Sequence, residues 1–362
     1  MRRLRVKSRD FDYQVVAGRG AWSAFQKFPH RGYSSIFVLT ERALWKRWGA
    51  HFLKASQLIA SHEIFVPSGE NSKSIRMAER VAATLLKKSA DRRSLLIAFG
   101  GGVVGDLGGF VASTYMRGID YVQVPTTVVA QVDSAIGGKT AVNVGEMKNL
   151  IGTFAPPRLV LADPAVLKSL PSRAYLSGFF EVAKHAVLSG PSLFSLMEKV
   201  AGTLRPGLDG PLDTLLVRAA QVKVDIVNRD EQEGGIRRLL NLGHTFGHAL
   251  EEATDYRRFL HGEAVAWGLL CAARLGVLLN MLDAREAERI AALVRKIGPL
   301  PSICDLSPAK ARKLFLRDKK TVAGQIHWVV PEKIGQVRVV SDVPIEVATE
   351  ALRSVQKSEA HG

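Results

Sequence analysis

The sequence predicts an α/β domain built on a parallel sheet, followed by a mainly α-helical domain. Three observations carry this. Strand and helix signals alternate through roughly the first 160 residues. From Tyr175 to Gly298 the apolar residues recur with helical period instead. Between these signals, FGGGVVGDLGG follows an apolar strand and opens a helix. The chain has 362 residues, which suits two domains better than one core. We set them at 1–170 and 171–362.

The elements read in order. VVAG and SSIFVLTE are short strands, and the second leads into the helical RALWKRWGAHFLKA. HEIFVP is a strand, and SKSIRMAERVAATLLKKSA is an amphipathic helix. RRSLLIAFGGG is a buried strand entering a glycine turn, and YVQVPTT is another strand. LVLADPAVLKSLP closes the first domain as a strand and turn. AYLSGFFEVAKHAVL, LDTLLVRAAQVKVDIVNRD, TFGHALEEAT and AREAERIAALVRKIG are helices of the second. Its longest apolar stretch, 264–282, contains Arg274 and two glycines, and reads as a buried helix pair rather than a membrane span. QIHWVVP and GQVRVV are late strands.

Composition narrows the function classes. Lys and Arg number 50 against 34 Asp and Glu, a net charge of +16. The basic residues are dispersed, with no aromatic-interleaved stripe, so nucleic acid is not expected as the main partner. MRRLRVKSRDFDYQV lacks an apolar h-region, so no secretory signal is expected. Two cysteines, Cys271 and Cys304, imply no disulfide framework and fit a reducing cytoplasm.

Gly100, Gly102 and Gly105 have G-x-G-x-x-G spacing in the strand–turn–helix context that a dinucleotide pyrophosphate requires. Two features depart from the ordinary Rossmann pattern. The turn comes near residue 100, not after the first strand, and Asp106 lies inside it. Further on, Asp133, Lys139, Asn143, Lys148 and Asn149 punctuate apolar sequence beside GG and TT pairs. Together they resemble a pocket wall for an anionic ligand, with lysines as point charges for phosphate. Arg117 is a further candidate.

RLLNLGHTFGHALE holds His244 and His248, and His261 follows, so three of nine histidines fall within 18 residues. Glu181 lies in the apolar FFEVAKHAV, with Lys184 and His185 on its face. One carboxylate and two imidazoles suit a catalytic divalent metal such as zinc. Spacing favours His244 with His248 as the imidazole pair, and leaves His244 with His261 open.

GGGVVGDLGGF, TYMRG, VPTTVVAQVDSAIGGKTAVN, KNLIGTF, EVAK, LNLGHTFGH, HGEAVA and DKK, in order from Phe65 to Val330, resemble the 3-dehydroquinate synthase family of sugar phosphate cyclases. The resemblance implies an N-terminal Rossmann-like NAD-binding domain and a helical C-terminal metal-binding domain. It also implies a homodimer. The implied reaction converts 3-deoxy-arabino-heptulosonate 7-phosphate (DAHP) to 3-dehydroquinate and phosphate. It proceeds by transient oxidation with NAD, phosphate elimination, reduction, ring opening and intramolecular aldol closure. Family metal positions, for Zn²⁺ or Co²⁺, fall on Glu181, His244 and His261. His248 matches a proton-transferring histidine of the substrate pocket. Arg117, Asp133, Lys139, Asn149, Lys184, Lys223, Arg237 and Asn241 match substrate positions, and Lys319 or Lys320 should reach the phosphate. NAD positions fall on Ser68, Gly69, Glu70, Asn71, Ser72 and Lys73. They continue on Gly102, Val103, Val104, Gly105 and Asp106, on Thr126, Thr127, Lys139 and Lys148, and on Val166, Leu167, Lys168 and Ser169.

The chain departs from the family in three stretches, one of them the segment between His248 and His261, which is one residue longer than in some members. VGEM stands where His-Pro-Leu-Gly often precedes the Lys-Asn pair, and EVAKHAV replaces a more usual EVIKYG. Two enzyme alternatives share this plan. A sister cyclase making 2-epi-5-epi-valiolone or 2-deoxy-scyllo-inosose would not need Arg237 and Asn241, which match carboxylate-binding positions. A glycerol dehydrogenase-like metal-dependent alcohol dehydrogenase would not need the lysine-rich pocket.

Overall fold

The computed structural model describes residues 1–360 apart from 146, 208, 209 and 317–325. The chain divides into two compact units, Met1–Leu170 with Asp209–Gln232, and Pro171–Leu208 with Glu233–Gly362. In chain order the first run contains β1 (Arg2–Lys7), β2 (Asp12–Ala17), β3 (Ile36–Glu41), α1 (Arg42–Ser56), β4 (His62–Val66) and α2 (Ile75–Lys87). It continues through β5 (Leu95–Gly100), α3 (Gly102–Thr114), β6 (Asp120–Pro125), β7 (Lys139–Val144), β8 (Met147–Phe154) and β9 (Leu159–Ala162). Then follow α4 (Ser172–Ser189), α5 (Pro191–Val200), α6 (Pro211–Arg229), α7 (His244–Ala253), α8 (His261–Leu278) and α9 (Ala284–Ile297). The last elements are α10 (Pro308–Phe315), β10 (Trp328–Lys333), β11 (Gln336–Val340) and α11 (Ile345–Ala360).

The first unit is built on a seven-stranded sheet, ordered β1-β2-β9-β6-β5-β3-β4. Only β1 and β2 pair antiparallel, and every other neighbour is parallel. The central strands are mostly apolar, as expected of a parallel sheet covered on both faces, with Thr40 of β3 and Gln123 of β6 as buried polar exceptions. All six residues of β5, LLIAFG, are buried. Helix α2 is set by the Ser74 hydroxyl, which accepts from the Met77 N–H, and by Ala78, Val81 and Leu85, which face the sheet. The expected α/β class therefore holds, with β1 an added edge strand.

Two sequence expectations need correction. Helix α6 belongs to the first unit, not to the second domain. Its stripe Val217, Ala220, Val224 and Val227 packs with Leu4, Val6, Tyr13 and Val15 of the β1–β2 edge. Chain order hides this, since the stripe has helical period wherever its partner lies. The polar segment around Lys139 to Asn149, to which the sequence assigned no element, is a β-hairpin, β7 paired with β8. The stretch 264–282 is no helix pair. Residues 264–278 lie within α8, and 279–282 form the turn after it, in which the Met281 N–H donates to the Gly276 carbonyl.

In the second unit α4 and α8 are the buried helices, each apolar nearly all round. The core gathers Phe246, Trp267, Leu275, Phe315, Trp328 and Leu352. No helix among the described residues is long and apolar enough to cross a membrane.

Candidate functional site

The strand order explains the late glycine turn. From β3 the chain moves outward to β4, and from β5 it returns to the other side, to β6. The carboxyl ends of β3 and β5 therefore form the topological switch point, where doubly wound sheets bind ligands. Gly100 ends β5, and α3 begins at Gly102, so free N–H groups at the α3 N-terminus face that point. The loop after β4 folds over the same edge. The Ser68 hydroxyl donates to the carboxylate of Glu41 at the end of β3, and the Lys73 ammonium pairs with Asp106 of α3. Burial lifts the Asp106 carboxyl above its ordinary value, and the charge of Lys73 opposes the rise. Val166 and Leu167 are buried, while Lys168 is exposed with its ammonium 5.1 Å from the Trp48 ring centre.

Beyond Thr126 and Thr127 the chain winds one π-helical turn, Ala130–Ser134. This presents Asp133 to Lys223 of α6, with Nζ to Oδ1 at 2.5 Å. Lys139 and Asn149 are exposed on the hairpin, and Lys148 is half-buried. Arg117 is exposed at φ +70 and Asn149 adopts φ +53, left-handed conformations unusual for residues with a side chain.

The second unit brings a carboxylate and two imidazoles together. Glu181 on α4 is fully buried. Its Oε1 lies 3.7 Å from His244 Nε2 on α7 and 3.4 Å from His261 Nε2 on α8. Its Oε2 pairs with Lys184 Nζ at 2.5 Å, one turn on. The carboxylate thus divides its two oxygens between the histidines and the lysine. His244 Nδ1 lies 3.2 Å from the Leu242 carbonyl, which assigns the proton to Nδ1 and leaves Nε2 to accept.

Backbone contact fixes where the imidazoles sit. A Cβ at Gly268 of α8 would lie 1.9 Å from the Gly243 carbonyl, and one at Gly262 would lie 1.8 Å from the Ser177 carbonyl. Only glycine lets α8 approach α7 and α4 this closely. Arg173 at the start of α4 makes a forked ion pair with Glu263, at 2.7 and 2.8 Å. Glu263 also accepts from the Leu260 N–H at 2.8 Å, which holds the helix start that carries His261.

These residues fit a divalent cation. Ligand atoms of Glu181, His244 and His261 all lie within 4.8 Å of one another. Oxygen and nitrogen ligands held about 2.0–2.1 Å from a tetrahedral ion sit about 3.3 Å apart, close to the separations from Oε1. The surroundings favour positive charge as well. Burial pulls the His261 pKa down, yet hydrogen bonds and charge from Glu181 and Glu251 overcome this and lift it from 6.5 to about 10. Glu251 Oε2 is 3.5 Å from His261 Nδ1. His248 stands outside the converging set, with its ring 5.5 Å from His244 and 6.3 Å from His261. So the i, i+4 pair that spacing favoured is not the pair that meets Glu181.

The other predicted residues divide between the units. Arg237 is buried in the turn before α7, and Asn241 donates to Glu233 Oε1 at 2.8 Å. Ser68 to Lys73, Gly102 to Asp106, Thr126 and Thr127 all lie at the carboxyl edge of the sheet in the first unit. Lys319 and Lys320 lie outside the described residues. Sequence reasoning missed Glu41, Arg173, Glu251 and Glu263. Glu41 had a signal, an acid closing the strand SSIFVLTE; the others become visible only through their partners.

The fold and cluster define a class: a doubly wound α/β unit with a glycine turn at its switch point, and a helical unit with a carboxylate–bis-imidazole centre. Residues 63–177 match the 3-dehydroquinate synthase N-terminal family, and residues 178–321 match the 3-dehydroquinate synthase C-terminal family. The chain belongs to the 3-dehydroquinate synthase family. It is 40% identical to the 3-dehydroquinate synthase of Solibacter usitatus over 94% of this chain and 96% of that one. It is 43% identical to that of Koribacter versatilis, over 88% of each chain. Among solved structures, ValA, the 2-epi-5-epi-valiolone synthase of Streptomyces hygroscopicus subsp. jinggangensis with NAD⁺ and Zn²⁺ bound, is 27% identical with a TM-score of 0.86. That similarity covers 98% of this chain and 100% of ValA.

Proposed function

We propose that the protein is a 3-dehydroquinate synthase, a phosphate-eliminating lyase that converts DAHP to 3-dehydroquinate with catalytic NAD and Zn²⁺ or Co²⁺. The observation that carries this is the Glu181, His244 and His261 cluster, with the Lys184 ammonium beside the same carboxylate, in a chain that matches both halves of the family. A bound divalent cation supplies Lewis acidity that lowers the pKa of the substrate hydroxyl to be oxidised. NAD, when bound, supplies a transient hydride acceptor.

The chain's own residues have separable roles. Glu181, His244 and His261 hold the cation. His248, beside the ligand histidines, moves protons. Arg237 and Asn241 bind the substrate carboxylate, since a guanidinium fork matches a carboxylate geometrically. Ser68 to Lys73 and the glycine turn hold NAD, with Glu41 and Glu70 as acceptors for ribose hydroxyls. The retained Arg237 and Asn241 support DAHP over the uncharged sugar phosphates of sister cyclases. Identities of 40 and 43% to 3-dehydroquinate synthases, against 27% to a valiolone synthase, point the same way.

In this proposal the enzyme is a cytoplasmic homodimer that binds neither membrane nor nucleic acid. Exposed Met147, Leu150, Ile151 and Phe154 on the hairpin support self-association, and two unbridged cysteines support a reducing compartment. The test is phosphate release from DAHP with substoichiometric NAD and Zn²⁺ or Co²⁺. Release without net NADH is expected, with little turnover of sedoheptulose 7-phosphate. Stoichiometric NADH would overturn the lyase assignment in favour of a dehydrogenase.

A further inference from the structure

Asn143 has no role in the proposed function, yet it joins two segments that do. It occupies the bulge of the hairpin, where the β7–β8 register shifts between Val142 and Val144. Its backbone N–H donates to the Lys73 carbonyl at 2.8 Å, and an isolated parallel bridge ties it to Ser74. Its side chain reaches both ways. Nδ2 donates to Glu70 Oε1 at 2.7 Å, and Oδ1 accepts from the Asn149 N–H at 2.9 Å.

The residue type follows from these partners. A carboxamide offers a donor and an acceptor at one end, matched to a carboxylate on one side and an N–H on the other. Aspartate offers only acceptors, and alanine neither. The Asn149 backbone is left-handed, φ +53, a conformation that asparagine adopts more readily than other residues with a side chain. The bond from Asn143 to its N–H helps to hold that turn.

We propose that Asn143 is a positioning residue that couples the Glu70–Lys73 loop to Asn149 at the far side of the hairpin turn. Occupancy of the loop by NAD fixes Glu70. Glu70 then holds the Asn143 amide, and the amide holds the turn in which Lys148 and Asn149 lie. This rests on the proposed function in taking the loop as a NAD site and Asn149 as a substrate position.

The experiment uses full-length protein with three substitutions, Asn143→Asp, Asn143→Ala and Glu70→Ala. NAD affinity is measured by calorimetry, and hydrogen exchange of the 139–154 hairpin is followed with and without NAD. In the unaltered protein NAD is expected to slow exchange in the hairpin. Asn143→Asp keeps an acceptor for the Asn149 N–H but faces Glu70 with like charge. It should weaken NAD about tenfold and abolish the NAD-dependent protection, while the protection present without NAD remains. Asn143→Ala should lose both, and should lower kcat about tenfold even at saturating NAD. The Asp variant serves if the Ala variant folds poorly. Unchanged NAD affinity and undiminished NAD-dependent protection in Asn143→Asp would overturn the coupling, leaving the NAD loop intact if Glu70→Ala still weakens NAD. Unchanged NAD affinity in Glu70→Ala would overturn the loop's assignment and the coupling with it.

Discussion

The two units build polar sites in opposite ways. In the second unit, Glu181 and Lys184 are buried on α4, and the imidazoles are set by helices packed backbone to backbone. In the first, Ser68, Glu70, Lys139 and Asn149 are exposed on loops and a hairpin, with hydrogen bonds such as that from Asn143 to Glu70 joining the segments. The first kind of site is organised by the core before anything binds. The second depends on its ligand for part of its order. Loss of one side chain should therefore cost more in the helical unit than in the other.

The largest break is His261→Ala. It removes one of two imidazoles facing Glu181, and phosphate release should fall roughly thousandfold, with elemental analysis finding little bound metal. Next comes His248→Ala, which leaves the converging set intact. Metal content should stay unchanged while kcat drops about a hundredfold. Retained metal in the first variant and lost metal in the second would reverse the ligand assignment. Glu251→Gln sharpens the contrast at one remove. It weakens the hold on His261 Nδ1, so zinc affinity in a chelator competition should fall about 10–100-fold with the fold intact.

The smallest expected effect is a pH dependence of the metal-free protein. The folded His261 pKa is raised to about 10 from 6.5. Its contribution to stability is therefore fully present below about pH 6.5 and is lost as pH rises towards 10. A cation held by Glu181, His244 and His261 would take the place of the His261 Nε2 proton, so zinc binding should release protons across that window. Calorimetry in buffers of differing ionisation enthalpy measures the release. Thermal midpoints should decline more steeply with pH for the metal-free form than for the zinc form. Parallel curves would mean that the carboxylates do not hold a protonated His261.

Much of the fold was legible because parallel strands buried on both faces read as apolar runs: LLIAFG is one, and YVQV is broken only by the buried Gln123. Helix α6 was legible as a helix but not in its allegiance, since a stripe of valines does not name the sheet it meets. The hairpin was opaque because β8 has the burial of an exposed ribbon, with Met147, Leu150 and Ile151 facing outward. At the site, residue types and spacing found the histidines, but one sequence gives only distances along the chain. The convergence of His261 on Glu181 needs α4 and α8 side by side, which no local pattern encodes. Arg173 and Glu263 were silent for the same reason, 90 residues apart and joined only by folding.

The glycine contact between α7 and α8 has a practical consequence. At Gly268 the missing side chain is what sets the ångström-scale placement of both imidazoles. A graft of Glu181, His244 and His261 onto another helical scaffold would carry the donors without that spacing, because ordinary helix pairs stand 8–10 Å apart with side chains between them. The transferable module is therefore the helix pair with its bare backbone seam, not the three ligands. A library that keeps the ligands and randomises Gly243, Gly262 and Gly268 should recover glycine at 268 before it recovers metal binding.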